Sequence, residues 1–441
     1  MEKPQGEIIS EENGRGLRQP RELDRGWRRA FLALRRRNFR LYWFGQMISF
    51  VGTSMQTVGQ AWLVLNLSQH SAWQLGLVGA LQALPILLFS IFGGVLADRW
   101  PKRRVLLVTQ SAALVQAALL WTLSGTGVLQ LWHLYMLALL LGLTNSLGRP
   151  AGRSFVVELV GREDLPNAVA LNSSVSTLAM VAGPALGGVV IAASNVPALF
   201  LLNALSFVPV IVGLALINRR ELYAQSAPLA SGGQRQKTWQ SLGEGVGYVW
   251  KTPMVLLLIL VVGLVLLFGS NFGVVLPLFA TDILRVGATG YGFLSAASGL
   301  GALSSTLWLA WSNRKPTLRG VLGGLLAFSV LEAVFAFARF YPLSLVLIAA
   351  VSFTEMASAA QAMTELQTVT PDHLRGRVMS VQVLFFDGSL PLGYMLIGWL
   401  SSLYGPSSAL LIGAGLCLLV VGTGWIWWKS AEKNAAEAAR V

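Results

Sequence analysis

The sequence predicts an all-α membrane protein whose twelve spanning helices form two bundles of six. The chain has 441 residues, of which 54% are hydrophobic and only 12% are charged, so it is far more apolar than a globular domain. A helix needs about 20 mostly apolar residues to cross the hydrocarbon layer. Twelve segments meet that requirement, and one long polar stretch divides them into six and six.

The segments, numbered 1 to 12 along the chain, are predicted at 39–66, 73–97, 103–124, 128–148, 165–193, 197–217, 253–280, 288–311, 317–338, 342–366, 378–402 and 406–428. The chain accordingly divides into an N-terminal tail (1–38), a first bundle (39–218), a central loop (219–251), a second bundle (252–428) and a C-terminal tail (429–441). The N-terminal tail holds no cleavable apolar stretch, so segment 1 is expected to act as the insertion signal. Trp27, Phe31 and Leu34, at helical spacing among basic residues, are compatible with either an interfacial helix or a solvated tail.

The positions of the basic residues predict the orientation in the membrane. The chain carries 33 Lys and Arg against 20 Asp and Glu, a net charge of +13 at pH 7. With the N-terminus inside, every Lys and Arg except Arg285 and Arg339 falls on the inner side. Because inner loops are rich in these residues, we expect a plasma-membrane protein with both termini in the cytoplasm. The basic surplus then serves orientation and contact with anionic lipids, and nucleic acid is not an expected partner.

The two halves of the chain share a sequence pattern. ELVGREDLPNAVAL at 158–171 and ELQTVTPDHLRGRVMS at 365–380 both run from a Glu-Leu pair at a helix end, through an acidic turn, into the next helix. The two stretches lie about half the chain apart. Parallel repeats of this kind are typical of transporters built from two six-helix bundles.

The stretch GGVLADRWPKRR at 93–104 interrupts the apolar run between segments 2 and 3. It resembles the signature loop of the major facilitator superfamily, with Pro101 where that pattern has a second glycine. Asp98 adds a negative charge that orientation does not require, and this charge can pair with a base or a helix N-terminus of the other bundle. The resemblance implies a cytoplasmic gate made of Gly94, Asp98, Arg99, Lys102 and Arg103, facing Arg375 and Arg377 at the start of segment 11. The alternative is a turn that only carries positive charge to the inner side.

A second resemblance lies within segment 5. AMVAGPALGG at 179–188 is similar to the antiporter signature of the same superfamily, with Gly183, Pro184, Gly187 and Gly188 in place and Ala179 at the first glycine. Proline kinks a helix, and the neighbouring glycines let another helix pack against the bend. The resemblance implies an exporter, and the alternative is ordinary packing of small residues.

The stretches NSLGRPAGRSFVVELVGREDLPNAVALN and TPDHLRGRVMS further resemble the multidrug and siderophore exporter branch of the superfamily, which includes enterobactin exporters. This resemblance extends over essentially the whole chain. It implies a small-molecule substrate without naming it.

A stripe of polar residues marks segment 1. Gln46, Ser49, Thr53, Gln56 and Gln60 recur at steps of three and four, which places them on one face of a helix. Unpaired amides are costly in hydrocarbon, so this face is expected to meet protein or water. In the superfamily, segments 1, 4, 7 and 10 line the central path. The substrate-cavity candidates are Gln46, Thr53, Gln56, Gln60, Asn145, Asn271, Phe272, Ser358 and Gln361. The alternative for each is hydrogen bonding between helices with no ligand.

Three acidic residues lie inside predicted segments: Glu332, Glu355 and Asp387. An ionised side chain at a helix centre costs about 2.5 to 3.5 kcal/mol on insertion scales, so each acid needs an interior site or a proton. Glu355 and Asp387 fall in the middle region of the bilayer and are the candidate proton sites, the alternative being structural acids. Glu332 is interpreted as structural and as able to turn outward toward Arg339.

Together these features predict a secondary transporter that works by alternating access. The favoured activity is proton-coupled export of small hydrophobic or amphipathic molecules such as drugs or siderophores, and an importer is the alternative. A membrane-embedded enzyme is disfavoured because the three histidines are scattered and no metal or phosphate motif is present. A sensor that binds without transporting is the third possibility. No cofactor is expected, and the single cysteine, Cys417, cannot form an intrachain disulfide.

Overall fold

The computed structural model describes residues 31–223, 234–312 and 316–438, with the side chains of 90–99, 234–242, 431 and 434–438 left undescribed. Within these ranges the secondary structure is helical and no β-strand occurs. Trp27, the first residue of the predicted interfacial pattern, lies outside the described residues. The last part of this pattern forms a short 3-10 turn at Leu32–Arg35, after which the first long helix begins.

Thirteen α-helices are present in the described part of the chain. They are α1 (Arg37–Leu67), α2 (Ala72–Arg99), α3 (Lys102–Gly125), α4 (Leu131–Val160), α5 (Leu165–Ala193), α6 (Val196–Leu216), α7 (Gln234–Lys251), α8 (Pro253–Ile283), α9 (Gly287–Ser312), α10 (Leu318–Ala336), α11 (Tyr341–Val369), α12 (Asp372–Tyr404) and α13 (Pro406–Ala438). Twelve of them match segments 1 to 12 in order. The exception is α7, which lies in the stretch expected to be a polar loop.

Eleven of the described helices are long and apolar enough to cross a membrane. The long helix that is not among them is α1, although its 31 residues exceed the length required. Its polar stripe lowers its hydropathy, yet α1 packs against α5 and α6 inside the first bundle. A helix surrounded by other helices does not need an apolar surface on every face.

The spanning helix α8 is not continuous. A regular helix at Pro253–Phe268 is followed by a break at Gly269–Asn271, a short helix at Phe272–Leu278 and a π-helical turn at Phe279–Ile283. Backbone groups freed by a break in a spanning helix must be satisfied inside the protein, and transporters use such breaks at their binding sites. The break therefore marks a candidate functional position in the second bundle.

The two bundles touch chiefly through two pairs of helices, α2 with α12 and α5 with α9, with smaller contacts of α8 and α9 on α1 and of α8 on α2. Both contacts are made by glycines. A Cβ added to Gly398 of α12 would lie 2.9 Å from the Ala72 carbonyl oxygen, and one added to Gly292 of α9 would lie 2.5 Å from the Pro184 carbonyl oxygen. The helix backbones are so close that larger residues would push them apart.

These contacts are concentrated on one side of the molecule, where α1 ends and α2 begins; we call it the outer side, following the predicted orientation. There a ring nitrogen of His70, in the turn after α1, lies 3.4 Å from a carboxylate oxygen of Asp282 at the end of α8. The Thr289 hydroxyl of α9 also donates to the Gly188 carbonyl of α5 at 3.3 Å. Polar contacts between the bundles thus accompany the glycine contacts on the outer side.

The opposite, inner half of α12 is less covered. In the outer half, the exposed residues Leu392, Met395, Trp399 and Leu403 follow one stripe at steps of three and four, and the exposure widens only in the last turn, at 402–404. In the inner half, three consecutive residues at 383–385 are exposed, and these positions span roughly 200° of the helix. Among the described residues, the glycine and polar contacts between the bundles therefore lie on the outer side, and α12 is less covered in its inner half.

The outer closure predicts an effect of cross-linking. We expect a short bifunctional maleimide to join cysteines introduced by His70→Cys and Asp282→Cys, and to abolish transport because the outer side can no longer open. The reaction is followed by electrophoresis and by flux before and after treatment. Native Cys417 is fully buried and does not compete for the reagent. Each single-cysteine variant is the control, and full transport by the cross-linked protein would contradict the closure.

Candidate transport site

The predicted gate is only partly described. The side chains of Gly94, Asp98 and Arg99 lie outside the described residues, so their pairing stays a prediction. At the start of α3, Lys102 is buried and interacts electrostatically with Glu158 of α4. Arg103 donates to the carbonyl oxygens of Leu214 and Ala215 at 2.6 and 2.9 Å, which fixes the inner end of α3 to the end of α6.

The two arginines expected opposite Asp98 have other partners in this conformation. Arg375 pairs with Asp372 one turn earlier at 2.6 Å and donates to the Gln367 carbonyl at 3.1 Å. Arg377 pairs with Glu244 of α7. The helix that sequence analysis missed is therefore packed on the inner end of α12, beside the predicted gate.

The antiporter-like stretch of α5 lies at a junction of three helices. Gly187 packs on α1, where an added Cβ would lie 3.1 Å from the Met55 carbonyl oxygen, and Gly183 packs on the same helix beside Ser54. Gly188 and Pro184 meet α9 instead, as described above. Close packing accounts for the glycines, and the role of this junction in export stays a prediction.

The stripe of α1 points largely into the first bundle. Gln56 is 1% exposed, donates to Gln116 of α3 at 3.0 Å and accepts from Asn203 of α6 at 2.6 Å. Gln46 donates to the Tyr42 hydroxyl at 2.8 Å and accepts from Gln110 at 3.4 Å. For these two glutamines the geometry corresponds to the alternative of hydrogen bonding between helices, because their amide groups already have protein partners. Gln60 is also buried, with its amide nitrogen lacking a described partner.

The other cavity candidates are distributed over both bundles. Thr53 is half-buried and donates to the Ser49 carbonyl at 2.8 Å, and Asn145 is half-buried on α4. Ser358 and Gln361 of α11 line a cavity of about 270 Å³ between α9, α10 and α11, together with Trp308 and Phe353. This cavity lies within the second bundle and combines aromatic walls with hydroxyl and amide groups.

Asn271 and Phe272 lie at the break of α8. Asn271 is 2% exposed, its amide nitrogen donates to the Leu267 carbonyl at 2.9 Å, and its side-chain oxygen faces Gly393 without a described hydrogen-bond partner. Phe272 packs edge to face on Phe328 of α10, with ring centroids 6.5 Å apart. The break is thus held between α10 and α12.

Asp387 connects the two bundles electrostatically. It is half-buried on α12 and interacts with Arg149 and Arg153 of α4, which belong to the first bundle and are both exposed. Sequence analysis missed these two arginines because it ended segment 4 at residue 148 and counted them as loop charge. The continuation of α4 to Val160 places both bases on the helix, one turn apart.

The other two acids lie inside the second bundle. Glu355 accepts a hydrogen bond from the Ser270 hydroxyl at the break of α8. The prediction that Glu332 turns outward toward Arg339 is wrong, since Glu332 is 1% exposed and Arg339 donates to the carbonyls of Ala336 and Ala338. Among the described residues, no group of three His, Cys, Asp or Glu side chains is placed to hold a metal ion.

Two six-helix bundles around a polar interior, closed on one side, define a transporter of the major facilitator class. A family model described as "transmembrane secretion effector" matches residues 29–439. The chain belongs to this family, whose members are major facilitator transporters and not enzymes.

Curated relatives and solved structures agree with this assignment. The chain is 30% identical over 389 residues to the enterobactin exporter EntS of Escherichia coli, covering 87% of this chain and 90% of that protein. It is 28% identical over 389 residues to the multidrug efflux pump Tap of Mycolicibacterium fortuitum, covering 86% and 92%.

Two solved structures share the fold. The nucleoside transporter NupG superposes with a TM-score of 0.69 at 12% identity, covering 89% of this chain and 99% of that one. A bacterial homologue of the human lysosomal transporter Spinster, in an inward-facing and unoccupied conformation, gives 0.67 at 14% identity, covering 91% and 96%. At these identities the likeness is one of fold.

The buried amide network of the first bundle predicts a purely structural phenotype. Asn203→Leu removes the donor to Gln56, and we expect it to destabilise the protein by about 1 kcal/mol, the scale of interhelical hydrogen bonds in membranes. Thermal unfolding of the purified protein measures this loss, with Leu202→Val at an exposed position of the same helix as the control. Unchanged stability combined with altered substrate affinity would instead place Gln56 in a binding site.

Proposed function

We propose that this transporter exports small hydrophobic or amphipathic molecules, such as drugs or siderophores, in exchange for protons. The observation that carries the proposal is that the two curated relatives named above, matched over about nine-tenths of their length, are an efflux pump and an exporter. The proposed setting is the plasma membrane, with both termini in the cytoplasm. An importer that uses the same fold is the alternative outcome of the flux experiment below.

The position of Asp387 supports a role in coupling. It lies between the bundles, opposite Arg149 and Arg153, near the middle of α12. A proton on Asp387 would cancel its attraction to the arginines, so protonation would change the energy of holding the bundles together at this level. Such a difference between two conformations is what coupling requires.

The position of Glu355 supports a second role. Its partner Ser270 lies in the broken part of α8, so a charge change on Glu355 acts directly on the least regular spanning helix. We expect the protonation of Asp387 to depend on the distance between the bundles, and the protonation of Glu355 to depend on the geometry within the second bundle.

Flux in reconstituted vesicles tests the proposal. With an imposed pH gradient, the wild-type protein is expected to accumulate compounds from a panel of fluorescent dyes, antibiotics and siderophores in the acidic lumen, and a protonophore is expected to abolish the accumulation. Asp387→Asn and Glu355→Gln should lose the pH-driven component while retaining membrane expression, because an amide cannot carry the proton. Glu432→Gln, an exposed acid paired with Arg319, is the matched control.

Undiminished pH-driven flux in both variants would exclude these two acids as proton carriers. Accumulation in the alkaline lumen would indicate symport and import instead of export. Transport that does not depend on the pH gradient would contradict proton coupling. Export would then have to be tested with gradients of other ions.

A further inference from the structure

Glu332 is almost fully buried in surroundings that would not stabilise a negative charge. It is 1% exposed near the C-terminal end of α10, and its Oε2 atom has no hydrogen-bond partner among the described residues. The neighbouring backbone belongs to Gly269, the first residue of the break in α8, where an added Cβ would lie 2.9 Å from that oxygen. An ionised carboxylate with a bare oxygen in an apolar interior is strongly unfavourable.

Glu355 reaches the same break from another helix. It projects from α11 and accepts the hydroxyl of Ser270, the residue after Gly269. The two carboxyl groups are close enough to act on each other electrostatically. The break of α8 is therefore flanked by two acids, one from α10 and one from α11, and it supplies a hydroxyl to only one of them.

The groups around this pair do not neutralise it. Tyr394 of α12 acts electrostatically on Glu355, and Cys417 of α13 interacts with both acids, while its thiol lies 3.8 Å from the Val265 carbonyl oxygen of α8. The remaining neighbour, α9, has no Asp, Glu, Lys, Arg or His in its sequence. None of the described groups that act on the pair is basic, so two carboxylates here would repel each other without compensation.

We propose that Glu332 and Glu355 form a shared proton-binding site at the break of α8, separate from Asp387. In the resting state an O–H bond on Oε2 of Glu332 holds one proton, and Glu332 stays neutral. Glu355 is the residue of the pair that exchanges its proton, because it is half-buried and Ser270 stabilises its carboxylate form with a hydrogen bond. When Glu355 loses its proton, the carboxylate needs the hydrogen bond from the Ser270 hydroxyl. When Glu355 gains a proton, it releases that hydroxyl. Protonation of Glu355 therefore changes a hydrogen bond of the break in α8.

The identity of the ligand follows from the chemistry of the pocket. Two carboxyl groups and one hydroxyl also suit a hard cation such as Na⁺, which prefers several oxygen ligands around it. A single proton neutralises the bare Oε2 of Glu332, whereas a cation would need further oxygen ligands, and the unpartnered side-chain oxygen of Asn271 faces Gly393 of α12 while Oε2 of Glu332 faces Gly269. The proton is therefore the proposed ligand, and sodium is an outcome that the test distinguishes.

Infrared spectroscopy of the purified full-length protein tests the site without any substrate. The wild type is expected to show the C=O stretching band of protonated carboxyl groups near neutral pH, in sodium-free buffer. Glu332→Gln should remove the component of this band that persists to the highest pH. Glu355→Gln should remove a component that titrates at lower pH, and Ser270→Ala should change the pH at which that component disappears. Glu432→Gln should leave the band unchanged.

A Glu332→Gln spectrum identical to that of the wild type over the whole pH range would overturn the proposal. Loss of the band on adding NaCl, but not on adding choline chloride, would show that the ligand is sodium and would also overturn the proposal. Should Glu332→Gln fail to accumulate, Glu355→Gln decides in its place: a spectrum of that variant with no protonated-carboxyl component remaining at high pH would overturn the proposal.

The inference rests on the proposed function only in that the site would supply a coupled proton. The infrared band requires no transport, so the two can fail separately. If vesicles show no pH-driven flux while the infrared band behaves as expected, the proposed proton coupling is contradicted and the proposed proton site is supported. If flux is pH-driven but the band is unaffected by Glu332→Gln, the site fails and the coupling stands.

Discussion

The close contact of helix backbones on the outer side is the constraint on which the rest of this structure depends. Gly398 and Gly292 allow α12 to touch α2 and α9 to touch α5, and no side chain separates the backbones at these points. In a bilayer there is no hydrophobic drive to join helices, so such packing must come from shape and from hydrogen bonds. Contacts of this kind are made or lost as a unit, because a packed interface does not deform gradually.

The lower coverage of the inner half of α12 accompanies this outer contact. With the outer halves held together, the inner half of α12 exposes several faces, and Asp387 lies near the transition. Its arginine partners come from the other bundle, so the charges meet only across the gap. In the proposed alternating-access cycle, closing the inner side would require the outer glycine contacts to open.

The two bundles treat their buried polar groups differently. In the first bundle, Gln56 has a donor and an acceptor on neighbouring helices, so the network is closed and stabilises one arrangement. In the second bundle, α8 is broken and oxygen atoms of Glu332 and Asn271 lack described partners. Gln60 and Gln110 of the first bundle also have side-chain atoms without described partners, so the feature that distinguishes the second bundle is the break of α8 with two carboxyl groups beside it.

Sequence patterns predicted the twelve spanning segments and their order because hydropathy and length dominate helix insertion. They also located Glu355 and Asp387, since an acid inside an apolar segment is conspicuous. They did not predict α7, because its glycine-containing sequence is polar overall, even though it is amphipathic at helical spacing. They assigned Glu332 the wrong direction, because helical spacing alone gives no information on which neighbour covers a face.

The partners of the polar stripe in α1 could not be predicted from the sequence either. Periodicity places Gln46 and Gln56 on one face, but a cavity and a neighbouring helix satisfy the same pattern. The pair Arg149 and Arg153 was hidden by a boundary error of twelve residues at the end of α4. Tertiary packing decided each of these cases, and it is set by residues far apart in the chain.

The most direct measurement is a pair of distances between spin labels. One pair, at Gln69 and Arg285, spans the bundles on the outer side, and the other, at Glu163 and His373, spans them on the inner side. Across a pH series, the account predicts that the outer distance lengthens in the same fraction of molecules in which the inner distance shortens. Two distances that lengthen together, or that never change in a protein shown to transport, would contradict it.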